Sequence, residues 1–230
     1  MPGRGIALDA RLSAIAQMVG RCGSYADIGC DHGRLGAFLL QKGWVKTAFL
    51  NDISEISLEK ARRLCRLIGV EDRARFFAGD GLAGLPEAVD KVVIAGMGGE
   101  TIEGILERGA SKLQGAELVL QANVGKPSLR TYLTRHGYRI ADERIVTERG
   151  RCYVIISAVP GTQALTREEA VIGPVLLKEK PKALLDYKAF RLRVAEKALR
   201  GAEQGGRPEE REPLLEEIAI WKGLIIDADK

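Results

Sequence analysis

The sequence predicts an α/β protein: a seven-stranded, mostly parallel sheet that ends in an antiparallel β-hairpin, followed by a helical hairpin. Three observations carry that reading. Apolar strand-like runs alternate with helix-period segments up to Gly137, the pattern of βαβ units with helices on both faces of a parallel sheet. Two β-rich runs then follow with only a turn between them. Beyond residue 160 the strand pattern stops and a long helical period takes over.

Taken in order, "LDARLSAIAQMV" (8–19) sets Leu8, Leu12, Ile15 and Val19 on one helical face. Strands are predicted near 24–28, 46–51, 73–78, 90–95 and 116–121, and helices near 33–41, 54–68, 99–108 and 127–136. His136 precedes Gly137 and reads as a helix C-terminal cap. "YRIADERIVTE" and "CYVIISAV", separated by "RGR", read as an antiparallel pair at the sheet edge. A plain dinucleotide-binding dehydrogenase sheet ends in parallel strands. The terminal hairpin therefore points to the Rossmann-like sheet of class I methyltransferases, by analogy of fold.

After residue 160 come "IGPVLLKEKPKALL", with two prolines, and a helix over about 182–203. Its expected apolar stripe contains Leu184, Tyr187, Arg191, Val194 and Ala198, with Leu185, Ala195 and Leu199 beside them. "EQGGRPEER" ends that helix on glycines and starts the next at Pro208. Leu214, Ile218, Trp221 and Ile225 then follow the spacing of a coiled-coil seam. The expected division is a sheet domain over 1–160 and a helical coiled-coil hairpin over 166–230.

Bulk composition sets limits. The chain of 230 residues carries 35 Lys/Arg against 31 Asp/Glu, a net charge of +4 that permits a polyanionic partner without demanding one. Its four cysteines form no C-x-x-C pair, so neither a zinc site nor a disulfide framework is expected. No secretory leader pattern opens the sequence, and no apolar run reaches the ~18 residues of a membrane helix. A cytoplasmic protein with no membrane partner and no metal is expected, a monomer being the simpler state. Charge is uneven in the helical segment: residues 178–207 hold nine Lys/Arg against four Asp/Glu, and residues 208–230 hold three against seven. Two helices attracting one another account for this. A basic edge for nucleic acid, using Lys178, Lys180, Lys182, Lys188, Arg191 and Arg193, is the functional alternative.

The chemistry concentrates at strand ends. "YADIGCDHGRL" runs strand, turn, helix, with Asp27 at the strand end and Gly29 and Gly33 around the turn. It is neither G-x-G-x-x-G nor a Walker loop. A generic tight turn would also read this way. The second strand ends in "NDIS", placing Asp52 23 residues after Gly29, where an acidic residue commonly holds ribose hydroxyls. The third ends in "GDGL", where Asp80 can accept a hydrogen bond from an adenine amino group. Any one of these is commonplace as a cap or Asx turn; three together make a nucleoside site at the carboxyl edge of the sheet. The flanking Cys30, Ile53, Gly79, Gly81 and Leu82 belong to that site. Cys30 reads as a small, partly buried thiol and not a nucleophile. The fourth strand ends in "IAGMGGETI", so Ala95, Gly96, Met97, Gly98 and Gly99 are expected beside the reacting group, the glycines clearing space. A glycine-rich helix start without ligand contact is the alternative. No N/D-P-P-Y/F/W motif is present, which disfavours an exocyclic amino target.

"ADIGCDHGRL", "GDGL", "IAGMGGETI", "LQANVGKPSLRTYL", "CYVIISA" and "IGPVLLKEK" occur in the order found in the TrmK family of bacterial tRNA (adenine-22-N1)-methyltransferases, which the chain resembles over nearly its whole length. The resemblance implies S-adenosylmethionine as methyl donor, tRNA as partner and N1-methyladenosine as product. The sequence departs from the family at Arg34, where a tyrosine is common, and at Ala122 of "LQAN", where "LQPN" is common.

The chemistry expected is in-line displacement by adenine N1, with positioning as the main contribution. Asp31, occupying a glycine-like position, is the leading candidate to stabilise the charge that spreads to N6; it can equally bind the donor's amino group. His32 is expected to orient Asp31 or accept a proton, unless it is only a helix-start residue bonded to backbone. Asn123 completes the catalytic set. The target base must leave its stem or tertiary contact, and Arg34, Lys126, Arg130 and Arg135 are expected, with the basic helical edge, to hold the RNA. Rival readings are a methyltransferase acting on another RNA or a small molecule, and a non-catalytic RNA-binding or dimerisation protein that kept the fold.

Overall fold

The structure is a computed structural model that describes residues 5–226. Asp227, Asp229 and Lys230 of the acidic tail count, and the outermost ends of the two expected segments, lie outside the described residues.

The chain runs α1 (Ala10–Val19), β1 (Cys22–Ile28), α2 (Arg34–Gln41), β2 (Val45–Asp52), α3 (Glu55–Leu67), β3 (Ala74–Ala78), β4 (Lys91–Met97), α4 (Gly99–Arg108), α5 (Ala110–Leu113), β5 (Glu117–Ala122), α6 (Lys126–Arg135), β6 (Tyr138–Glu148), β7 (Arg151–Pro160), α7 (Arg167–Ile172), α8 (Pro174–Glu179), α9 (Ala183–Gln204) and α10 (Pro208–Gly223). The seven strands form one sheet in the order β3-β2-β1-β4-β5-β7-β6. β1 to β5 pair in parallel; β7 inserts antiparallel between β5 and β6. Chain direction across the sheet reverses between β1 and β4, and the crevice beyond their carboxyl ends is where such sheets bind ligands.

Alternation within the strands divides the core between the two faces. Ala26, Ile28, Val92, Ile94, Leu118 and Leu120 join one apolar cluster, while Tyr25, Val93 and Val119 join the other. This is the period-two consequence of a pleated strand buried on both sides. α1, α2 and α3 cover the second face. The first face is covered by α4, α6 and the C-terminal helices, whose Leu176, Leu184, Tyr187 and Trp221 are all within 2% of complete burial.

Several local expectations change. The two-proline segment forms the short helix α8 and the start of α9, with α7 preceding it across Gly173. In α9 the buried face runs through Leu184, Tyr187, Ala195 and Ala202, so Val194 and Ala198 are exposed and Leu185 lies at the margin. Packing onto β6 as well as onto α10 rotates the buried stripe away from a pure two-helix seam. The seam of α10 stops at Trp221: Ile225 lies past the helix end and is exposed, while Leu224 turns inward. His136 does cap α6, its backbone N–H reaching Tyr132 and Leu133 carbonyls and its ring stacking on Tyr132 at 3.9 Å.

Candidate functional site

Asp27, Asp52 and Asp80 converge on one cavity of about 470 Å³ at the carboxyl edge of β1, β2, β3 and β4. Backbone pairing brings the turns together: the N–H groups of Gly29 and Cys30 both donate to the Asn51 carbonyl, at 2.9 and 2.8 Å. Asn51 itself, buried, donates its Nδ2 to the carbonyls of Phe77 (3.2 Å) and Gly79 (3.0 Å), tying the β3 turn to β2. Asp52 accepts the Asp31 N–H on one oxygen and the Ser54 N–H on the other, each at 2.9 Å. The turn after β1 and the start of α3 therefore depend on a single carboxylate.

Asp31 adopts the left-handed backbone (φ 49°), a conformation that aspartate tolerates better than most residues. Its side chain is 74% exposed, with Oδ1 3.4 Å from His32 Nε2, and Lys60 Nζ lies 3.2 Å from the same His32 nitrogen. Asp80 pairs with Arg108 at 2.9 Å, both exposed, and exposed ion pairs give way at little cost. Ile53, 82% exposed, offers an apolar wall. Asp27 is buried. Burial and the charge of Asp52 push its pKa up to about 7, against the pull of Arg11. Burial, with Asp27 and Asp52 adding, pushes the Cys30 thiol well up, so it stays protonated and a poor nucleophile.

A second cavity of about 570 Å³ lies beside the first and shares Arg11 and Gly96 with it. Its other walls are Gln121, Ala122 and Asn123 at the end of β5, Arg151, Cys152 and Tyr153 at the start of β7, and Phe190 of α9. Gly96 is the extra residue of a β-bulge: Ala95 pairs with Gln121 and Met97 with Ala122. At φ 83° it occupies the left-handed region that a bulge glycine supplies. Its carbonyl, freed from the ladder, accepts Asn123 Nδ2 at 2.8 Å.

The expected donor residues Asp27, Gly29, Cys30, Asp52, Ile53, Gly79, Asp80, Gly81, Ala95, Gly96 and Met97 all line the first cavity, together with Asp31 and His32 of the expected catalytic set. Gly33, Leu82, Gly98 and Gly99 do not. Gly33 sits against Ala61 and Leu50, Leu82 is core, and Gly99 packs so closely on the Gly125 backbone that an added Cβ would lie 2.7 Å from its carbonyl oxygen. The "GMGG" glycines thus divide their work: Gly96 shapes the site, and Gly99 lets two helix starts approach.

The RNA set is corrected more heavily. Arg130 is buried, bonded to Glu143 and to the carbonyls of Ala170, Val171 and Ile172, so it cannot reach a phosphate. Lys126 is also buried and donates to the Asn123 carbonyl at 2.9 Å; burial and the neighbouring Arg191 and Arg130 pull its pKa down to about 8. Arg135 is exposed but closes α6, at the end of that helix remote from the strand tips. Lys188 donates to the Leu224 carbonyl at 2.6 Å and Arg191 pairs with Glu217, so both brace the α9–α10 hairpin. Arg34 donates to the Ala7 carbonyl and lines the first cavity. Lys178, Lys180 and Lys182 are exposed, with no ion pair among the described residues.

Arg11, Asn51, Thr101, Gln121, Tyr153 and Phe190 line the cavities without having been expected there. Gln121 and Asn51 did carry a signal: each is a polar side chain inside an apolar strand, and such residues are buried only with partners.

The chain matches the methyltransferase domain family over residues 8–156. It is 29% identical to the tRNA (adenine(22)-N(1))-methyltransferase of Bacillus subtilis, covering 95% of both chains. It is 33% identical to a candidate tRNA methyltransferase of Mycoplasma pneumoniae, covering 76% of this chain and 84% of that one. The solved Bacillus subtilis m1A22 tRNA methyltransferase superposes with a TM-score of 0.86 at 27% identity, over 96% of this chain and 99% of that chain. A Streptococcus pneumoniae homologue in complex with S-adenosyl-L-methionine superposes with a TM-score of 0.85 at 30% identity, over 95% of this chain and 99% of that chain.

Proposed function

Since the chain belongs to the methyltransferase domain family, and within it to the TrmK family, we propose that it transfers the methyl group of S-adenosylmethionine to N1 of adenine-22 of tRNA. The observation that carries this reading is the meeting of Asp27, Asp52 and Asp80 on one cavity that opens, at Arg11 and Gly96, onto a second.

The donor supplies an electrophilic methyl on a positively charged sulfur. The residues present suit such a molecule. Asp52 is placed for ribose hydroxyls, Ile53 for the adenine face, Asp80 for the adenine amino group, and buried Asp27 for the cationic amino-acid end, whose charge would offset the cost of burying a carboxylate. Asp31 lines this cavity and not the second. Of its two expected roles the donor-side one fits, with His32 orienting it. The acceptor N1 lone pair forms the new bond to carbon while the old C–S pair returns to sulfur, so no covalent enzyme intermediate is required. Holding the two reactants in line is the chain's main contribution, an effect worth ~7–11 kcal/mol when geometry is good.

Residues 1–160 form the catalytic unit in this reading and 166–230 an arm that presents Phe190 and the Lys178, Lys180 and Lys182 cluster to the RNA. The protein works in the cytoplasm, where tRNA is, as a monomer. A methyltransferase acting on another RNA would use the same donor cavity. The test is to incubate the protein with unmodified tRNA and S-adenosylmethionine and then reverse-transcribe. N1-methylation blocks Watson–Crick pairing, so a new stop at adenine-22 is expected; no stop at any adenine refutes the proposal, and a stop elsewhere moves the target.

A further inference from the structure

Four groups form a continuous chain across the wall of the second cavity. Arg11 Nη1 donates to Gln121 Oε1 at 2.9 Å, Gln121 Nε2 donates to Asn123 Oδ1 at 3.0 Å, and Asn123 Nδ2 donates to the Gly96 carbonyl at 2.8 Å. Both ends have fixed polarity. A guanidinium can only donate and a carbonyl can only accept. Gln121 must therefore turn its oxygen to Arg11 and its amide nitrogen to Asn123, and Asn123 must turn its oxygen to Gln121. Gln121 is fully buried, so it has no solvent alternative. The two carboxamides are held in one orientation by their neighbours.

That orientation leaves Asn123 with one open lone pair on Oδ1 and one open hydrogen on Nδ2. A carboxamide so presented is the standard partner of adenine's N6 amino group and N7. Reading the base by N6 and N7 is also what the chemistry needs, because N1 must keep its lone pair free for the methyl. Around the same cavity Tyr153 and Phe190 offer aromatic surface on which an extruded base can stack. Phe190 is backed by Tyr187 (6.4 Å, stacked), which in turn meets Trp221 edge-on at 5.6 Å. The C-terminal helices thereby hold one wall of this cavity.

We infer that the second cavity receives the extruded target adenine, that Asn123 reads its N6/N7 edge, and that Arg11 and Gln121 are positioning residues which set the polarity of that reading. The inference rests on the adenine-N1 reaction proposed above and adds how the base is selected.

The test compares tRNA carrying adenine with tRNA carrying 7-deazaadenine at position 22, for the wild-type protein, Asn123→Ala and Gln121→Glu. The 7-deaza base keeps N1 and N6 but has no acceptor at N7. Wild type is expected to lose roughly tenfold in kcat/KM on the 7-deaza substrate, the worth of about one hydrogen bond. Asn123→Ala should be slower on adenine and indifferent to the change of base. Gln121→Glu keeps the Arg11 contact but can only accept, so Asn123 must reverse; it too should lose the discrimination while its affinity for S-adenosylmethionine, by calorimetry, stays within about twofold of wild type. Phe190→Ala should raise KM for tRNA with donor affinity unchanged. Equal use of both substrates by the wild type, or discrimination that survives in Asn123→Ala, overturns the inference while leaving N1-methylation intact. Absence of any reverse-transcription stop with ordinary tRNA overturns both readings.

Discussion

Arg130 and Glu143 meet at 2.8 Å with no more than 1% of either side chain exposed. Around them the guanidinium also takes the last carbonyls of α7, from Ala170, Val171 and Ile172, while the second Glu143 oxygen takes the Val175 N–H at the start of α8. Helix ends leave such groups without intrahelical partners, and one ion pair serves both ends. Gly173 lies between the two helices, where an added Cβ would stand 2.3 Å from Glu143 Oε2. Removing one member of a buried pair strands the other, so Arg130→Ala is expected to cost about 3–5 kcal/mol, or roughly 6–20 °C in Tm by calorimetry. Replacing a buried pair by apolar residues is often neutral. Here the double variant Arg130→Met with Glu143→Leu should stay well below wild type, because it orphans the helix-end groups as well. A double variant as stable as wild type contradicts this account.

With Asp27 as the proposed contact for the cationic end of the donor, donor binding is expected to depend on pH. Its folded pKa, about 7, lies above the ordinary 3.8, so the folded protein holds a proton that the unfolded chain has released between those values. The contribution of Asp27 to stability therefore declines as pH rises through that window. A cationic ligand end favours the ionised form, so binding below about pH 7 must expel the proton. Calorimetry at pH 6 in buffers of different ionisation enthalpy should register proton release on S-adenosylmethionine binding, and affinity should rise toward pH 8. Asp27→Asn should bind weakly at every pH, with no release. A flat affinity from pH 6 to 8 in the wild type removes Asp27 from the donor contacts.

Asp31 lines the first cavity and not the second, so under the proposed function its substitution should act on the donor. Asp31→Asn is expected to weaken S-adenosylmethionine binding by roughly tenfold, the range of one charge-assisted hydrogen bond, with KM for tRNA near that of wild type. The opposite split, with tRNA KM raised and donor affinity untouched, would place its carboxylate at the acceptor base.

Lys178, Lys180 and Lys182, like Arg193, are cations of the expected basic edge that no ion pair engages among the described residues. Lys178 and Lys180 close α8 and Lys182 is the N-cap of α9, roughly 12 Å along that helix from Phe190. Replacing all three by Gln should reduce the slope of log affinity for tRNA against log salt by roughly 2, since each phosphate contact contributes about 0.7–0.9. The catalytic rate at saturating tRNA should hardly move. An unchanged slope excludes them as phosphate contacts.

Periodicity was enough to read the strands, the hairpin and the helices over the sheet, because burial on a pleat or on a helix face repeats at a fixed spacing. The meeting of three carboxylates on one cavity was equally legible. Asp27, Asp52 and Asp80 each sit where a strand ends and a turn begins, so local spacing alone places them together once the sheet is parallel. Long cations were not legible. Arg130 and Lys126 look like surface residues in "NVGKPSLRTYL", yet β6 and the α7–α8 joint bury one, and the β5 turn takes the other.

By itself the sequence determined the fold class, the order of strands and helices, and the gathering of three carboxylates at strand tips, all of which follow from local pattern and chain connectivity. Only the tertiary structure decided that Arg11 reaches Gln121 across 110 residues, that Phe190 walls a second cavity, and which cations remain free. Those depend on which side chains meet in space after the sheet has closed its faces, and neither spacing nor composition encodes a contact between residues so far apart in the chain.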